Sequence, residues 1–135
     1  MDFIVKKVRL SKSSISNVEK VAVNQVLDSE YLGMGEKVKI FEDKIKQYLN
    51  TDLEVVCVNT GTAALHLSIV ALGLKSGDEI LVPSLTYVAS FQAISAAGAI
   101  PIACDINPET LFLDSNDARS KITNKTKAIM PVHYA

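Results

Sequence analysis

One run of this chain has the residue types to hold an anion: Val55-Val56-Cys57-Val58-Asn59-Thr60-Gly61-Thr62-Ala63-Ala64-Leu65-His66. A β-branched stretch stops at a polar, glycine-containing turn, and a helix of small residues begins at once. The first N–H groups of a helix have no partner within it, and the helix dipole places partial positive charge there. A phosphate fits such a place without a lysine. Thr60 and Thr62 add hydroxyl donors, and Gly61, Ala63 and Ala64 leave room for close approach. An ordinary capped strand-to-helix turn with no ligand would carry the same residues. The chain contains neither G-x-x-x-x-G-K-[ST] nor G-x-G-x-x-G, which excludes a P-loop and the dinucleotide fingerprint.

Other polar residues at element ends have plainer readings. His66 lies in the middle of the helix after the turn, where a packed histidine is the ordinary case. Asp105 and His133 end strands. Asp78 with Glu79 reads as a solvated turn rather than an acid/base pair. Cys57 and Cys104 sit inside apolar, strand-like runs and form no C-x-x-C, so they read as buried small hydrophobes in a reducing compartment, with no disulfide framework and no metal site.

These residues need a scaffold, and the chain alternates strands and helices to supply one. Ser16-Asn17-Val18-Glu19 is a capping box. The helix it opens carries Val18, Val21, Ala22 and Val26 on one side and ends near Asp28. The loop Ser29 to Gly35 leads to a second helix with Val38, Phe41, Ile45 and Tyr48 in a single apolar stripe. A strand is expected over Glu54–Val58, a helix over Thr62–Leu72 with Gly73 as its C-cap, and a strand over Glu79–Val82. A helix over Tyr87–Ala97 closed by Gly98 follows, then a strand over Ile100–Cys104, a short helix near Ser115–Ile122 and a strand over Ala128–Val132. Such alternation builds an α/β fold with a mostly parallel sheet covered by helices. Ligands of these sheets sit beyond the carboxyl ends of the strands, where the Asn59–Ala63 and Pro83–Tyr87 turns both lie. The division expected is an N-terminal helical segment, 1–50, and the first part of a large α/β domain, 51–135.

A chain of 135 residues suits one domain and can bury roughly two thirds of its unfolded surface. Its 14 basic and 15 acidic residues are well mixed, which gives no support to a nucleic-acid partner. Met1 to Lys7 lacks the apolar core of a targeting signal, and the most apolar stretch, Ala63 to Leu74, is too short to span a bilayer. A cytoplasmic protein with no membrane partner is expected.

With both turns in view, the chain resembles the start of the DegT/DnrJ/EryC1/StrS family. These are pyridoxal-phosphate-dependent sugar aminotransferases of the aspartate aminotransferase class, fold type I. The matching pieces are Tyr31-Leu32-Gly33-Met34-Gly35 with Phe41-Glu42, then Asn59 to Leu65, Gly77-Asp78-Glu79-Ile80, Pro83 to Ser90, Cys104 to Thr110, and Pro131-Val132-His133-Tyr134. They stand in the family's order from about Leu10 to Ala135. The resemblance implies that pyridoxal 5′-phosphate is the cofactor. Its phosphate would lie on the Thr62 hydroxyl and the amides of Thr62 and Ala63, with Gly61 and Thr60 shaping the turn. Tyr87 falls where the family stacks an aromatic ring on the pyridine ring; by itself it reads as a half-buried aromatic at a helix start. Tyr31 and Gly33 fall in the family's segment near the sugar-nucleotide site, and otherwise read as part of a helix–helix connector. The partners implied are a nucleotide-linked keto-sugar, glutamate as amino donor and a second subunit in a homodimer.

The resemblance also implies what to look for and not find. The chemistry needs a Schiff-base lysine and an acidic partner for the pyridine nitrogen, and the family places both after position 135. Lys37, Lys39, Lys44 and Lys46 fall on a solvated helix; Lys75, Lys121, Lys125 and Lys127 fall in turns or at element starts. None sits in an apolar run that would lower its pKa, so no catalytic residue is expected in this chain. It reads as the N-terminal part of a longer enzyme, inactive by itself. Sugar dehydratases of the same family, with histidine replacing the lysine, remain an alternative. So does a phosphate-binding α/β module without chemistry.

Overall fold

The computed structural model describes residues 11–133. The chain divides into two compact units, one ending at Cys57 and the other beginning at Val58.

The first unit contains α1 (Asn17–Asp28) and α2 (Glu36–Tyr48). The capping box at the start of α1 forms as its sequence predicts. The Ser16 hydroxyl accepts from the Val18 amide at 3.1 Å, and the Glu19 carboxylate accepts from the Ser16 amide at 2.6 Å. The Ser16 hydroxyl, with help from its amide, holds the Glu19 carboxyl below its ordinary pKa. The expected apolar stripe on α2 is present in spacing but is not covered: Val38 and Ile45 are half-buried, while Phe41 and Tyr48 are exposed. Neither helix has a buried residue.

The strand expected over Glu54–Val58 does not form. A strand needs a ladder partner, and none of the described strands pairs with this segment. Instead, the Cys57 amide donates to the Glu42 carboxylate at 2.8 Å, a side chain taking a place that a neighbouring carbonyl would fill. Cys57 is accordingly half-buried in extended chain rather than buried in a sheet.

The second unit is a three-layer α/β arrangement. Its elements are α3 (Gly61–Ala71), β1 (Glu79–Pro83), α4 (Ala89–Ala96), β2 (Ile100–Cys104), α5 (Ser115–Ser120) and β3 (Thr126–Ile129). The strands are parallel in the order β2-β1-β3, with Leu81 opposite Ile102 on one side and Ile129 on the other. Strand β1 is central, and its alternating side chains feed two cores. Ile80 and Val82 pack with Ile69 of α3 and with Ala93 and Ile94 of α4; Leu81 packs with Cys104 and with Ala118 of α5. Burying each of these large side chains is worth about 1.5–3 kcal/mol. With helices on both faces, β1 reads as a continuous apolar run, as a buried parallel strand should.

The bounds of several elements differ from expectation, most at α4 and β3. Helix α4 begins at Ala89, because the Ser90 amide bonds back only to the Tyr87 carbonyl, three residues away. The first four-residue bond runs from Gln92 to Val88. Strand β3 begins at Thr126 and ends at Ile129 instead of reaching Val132. Its last rung is the Met130 amide on the Leu81 carbonyl at 2.8 Å. The parallel pattern calls next for an N–H from β1 residue 83, and Pro83 has none. Gly73, Gly77 and Gly98 close α3, the turn before β1, and α4 at positive φ, between 68° and 92°. None of the helices in the described region is long and apolar enough to cross a membrane. The readings made on Met1–Leu10 and on Tyr134 and Ala135 lie outside the described residues.

Candidate functional site

The start of α3 is built by Thr60. Its backbone is extended, at φ −152° and ψ 157°, and its hydroxyl accepts from the Ala63 amide at 3.0 Å while its carbonyl accepts from the Ala64 amide at 3.0 Å. The Ala63 amide, one of the orphan donors of this helix, is thereby satisfied, and the Ala64 amide makes the first regular helical bond. The Gly61 and Thr62 amides have no acceptor among the described residues. A Cβ added at Gly61 would meet nothing within 4 Å, and the first turn carries no acidic side chain. Thr60, Gly61 and Thr62 are exposed and Ala63 is half-buried. The turn is therefore open, positive by its dipole, and free of any carboxylate that would repel an anion. The family resemblance implies that the Ala63 amide holds the cofactor phosphate; here that amide donates to the Thr60 hydroxyl.

The second turn follows β1. Helix α4 carries the chain from β1 to β2 on one side, and α5 carries it back across to β3 on the other. The carboxyl end of β1 is therefore where strand order reverses, the place where open α/β sheets bind ligands. The Ser84 amide fixes the loop to the Cys104 carbonyl at the end of β2, at 2.8 Å. Tyr87 stands in this loop with 78% of its surface exposed, more open than the half-buried aromatic its position suggested. Behind it, the hydroxyls of Thr86 and Ser90 bond each other at 2.8 Å, and Ser90 is a buried polar residue.

At the end of β2, Asp117 accepts from the Asp105 amide at 2.6 Å and from Lys121 Nζ at 2.8 Å. Lys121 also donates to the Ala103 carbonyl at 2.9 Å. Lys121 Nζ, aided by the Asp105 amide, holds the Asp117 carboxyl below its ordinary pKa, and Asp117 holds Lys121 above its own. Lys39 is likewise raised by Asp43. Both lysines are raised by a neighbouring carboxylate, whereas a Schiff-base lysine needs its pKa lowered. Burial pushes the Cys104 thiol up, away from reactivity. Asp78 caps its own turn by accepting from the Lys75 amide, and Glu79 accepts from the Thr123 hydroxyl. His66 is half-buried on α3, and His133 is exposed with its ring edge-on to Phe112.

In the first unit, a cavity of about 410 Å³ is lined by Gln25, Val26, Tyr31, Gly33, Gly35 and Lys37, among others. The Tyr31 ring lies so close over Gly35 that a Cβ there would stand 2.8 Å from it. A side chain at Gly35, whose φ of −103° any residue could adopt, would therefore require the exposed Tyr31 ring to shift.

The sequence pattern of the DegT/DnrJ/EryC1/StrS aminotransferase family matches residues 13–135. The chain belongs to this family. It is 42% identical over 130 residues to GDP-perosamine synthase of Escherichia coli O157:H7, a match covering 96% of this chain and 35% of that one. It is 37% identical over 128 residues to the dTDP-4-dehydro-2,3,6-trideoxy-D-glucose 4-aminotransferase of Saccharopolyspora spinosa, covering 94% and 33%. Among solved structures, a Streptococcus pneumoniae protein assigned as a sugar aminotransferase, in its PMP form, superimposes with a TM-score of 0.85 at 36% identity. That match covers 93% of this chain and 32% of the other. An E. coli GDP-4-keto-6-deoxy-D-mannose-3-dehydratase with bound hydrated PLP superimposes at a TM-score of 0.83 and 32% identity, over 90% and 33%. The α/β fold is thus that of the DegT/DnrJ/EryC1/StrS aminotransferases, and this chain spans about a third of the length of the relatives it matches.

Proposed function

We propose that this chain is the cofactor-phosphate portion of a pyridoxal 5′-phosphate-dependent aminotransferase acting on a nucleotide-linked keto-sugar, with glutamate as amino donor. The observation that carries the reading is the open, acid-free start of α3 in a chain matched by the family from residue 13 onward. The residues present fit the cofactor's phosphate. The Gly61 and Thr62 amides and the Thr62 hydroxyl supply donors, Gly61 permits close approach, and Thr60 holds the turn by capping it. Tyr87, exposed at the strand-order reversal, is the aromatic available to stack on a flat ring, a contact worth about 0.5–1.5 kcal/mol beyond area burial. When bound, the cofactor supplies the electron sink for moving an amino group; the residues of this chain bind and orient it. Tyr31 and Gly33, on the first-unit cavity, are assigned to the sugar nucleotide. We place the enzyme in the cytoplasm as a homodimer. Two free thiols fit the first assignment, and the exposed apolar residues of α1 and α2 fit the second.

The test uses the whole protein that carries this chain, supplied with ¹⁵N-glutamate and GDP- or dTDP-linked 4-keto-sugars. The expected outcome is ¹⁵N in an amino sugar nucleotide, and no transfer by the 135-residue chain alone. The likeness to the 3-dehydratase gives a second reading. A deoxygenated keto-sugar without ¹⁵N would decide for it and against amino transfer.

A further inference from the structure

Ser90 is a buried polar residue, with 5% of its surface exposed. A buried hydroxyl is costly unless it is bonded, and the bond it makes is to Thr86 Oγ1, at 2.8 Å and four residues back. The same residue's amide donates to the Tyr87 carbonyl at 3.0 Å. Ser90 therefore grips the chain on both sides of the Thr86–Tyr87 peptide. The helix gives no other help here: α4 opens on Val88, which caps nothing with its side chain. At the loop's other end the Ser84 amide is tied to Cys104. Tyr87 itself is 78% exposed, so its own packing does not fix it. An exposed ring on a loop keeps a defined direction only if its backbone is held, and loops are otherwise the mobile part of a fold.

We propose that the Thr86–Ser90 hydroxyl pair is a positioning device that holds Tyr87 and its loop at the carboxyl end of β1, in readiness for a flat cofactor ring. The use to which the hold is put rests on the function proposed above; the hold itself does not.

The decisive variants are Thr86→Val, which keeps the shape, removes the hydroxyl and leaves Ser90 Oγ unpaired, and Thr86→Ser, which restores it. In the whole protein without cofactor, hydrogen exchange at the amides of 84–90 is expected to quicken in T86V by roughly two- to tenfold, the worth of one hydrogen bond, and to recover in T86S. Unchanged exchange in T86V overturns the proposal, whether or not the protein binds pyridoxal 5′-phosphate. With the cofactor, T86V is expected to raise the dissociation constant by roughly the same factor and to weaken the cofactor's visible circular dichroism. In a Tyr87→Ala background the same change should add nothing, because the pair acts through Tyr87. Fully additive losses would mean a general structural role and overturn the positioning claim. Quickened exchange in T86V, together with a wild-type protein that binds no pyridoxal 5′-phosphate, would overturn the cofactor reading and leave the hold standing.

Discussion

Thr60 and Thr62 stand two residues apart and have different tasks. The Thr60 hydroxyl accepts from the Ala63 amide and so belongs to the helix; Thr62 is exposed at the open turn. Thr60→Ala should therefore lower stability by about 1 kcal/mol, the cost of losing an N-cap. Thr62→Val should leave the melting temperature in place and weaken pyridoxal 5′-phosphate binding by roughly tenfold, the lower end for a hydrogen bond to a charged group. Thermal melts and cofactor titrations on the two variants separate the roles; equal effects on both readouts would contradict the assignment. The residue types of this turn were legible in the sequence, because threonine and glycine after a β-branched run are unusual unless a turn or an anion needs them. The engagement of the Ala63 amide was not. A threonine hydroxyl three residues upstream can cap or can bind, and the choice depends on the extended backbone of Thr60, which residue types alone do not fix. Ser90 was missed for a related reason: a serine in a small-residue helix gives no sign of burial until both faces of the sheet are covered.

At the scale of elements, α5 is fastened to the end of β2 by Asp117, which accepts from the Asp105 amide and from Lys121. The folded-state pKa of Asp117 is depressed, so its stabilisation is present above the ordinary carboxylate range and is lost as pH falls through the folded value. Lys121 is raised, so its part is fully present below the ordinary lysine range and is lost only as pH rises through its folded value. Both side chains are about a third exposed, which keeps the effect small. Asp117→Asn is expected to destabilise measurably at pH 7, with the difference from wild type shrinking as pH falls below about 4. A difference independent of pH in urea melts would contradict this. The turn-bounded strands β1 and β2 were legible because glycine turns punctuate them and their side chains are apolar. The segment over Glu54–Val58 was not legible, since apolar composition marks a possible strand while a ladder requires a partner from elsewhere in the chain. The end of β3 was hidden for the same reason, as it is decided by Pro83 on a neighbouring strand.

For the whole molecule, the two units differ in how their apolar residues are used. The second has cores on both faces of β1. The first leaves Val18, Val21, Leu27, Phe41 and Tyr48 exposed on helices with no buried residue. Spacing made these helices legible as amphipathic, but it does not say what covers their apolar faces. Exposed apolar surface on this scale is the kind that further protein covers, and the homodimer proposed above is one way to cover it. The start of α3 is proposed to receive the phosphate of a pyridoxal cofactor rather than any phosphate. The measurement that tests it most directly is the affinity of the whole protein for pyridoxal 5′-phosphate against pyridoxal and against inorganic phosphate, by competition titration. Pyridoxal 5′-phosphate is expected to bind at least about tenfold more tightly than either part alone, since the charged, hydrogen-bonded phosphate adds about 1.5 kcal/mol or more and the ring adds its buried area to about 0.5–1.5 kcal/mol of stacking. Equal affinity for inorganic phosphate would contradict it and leave a plain phosphate-binding turn.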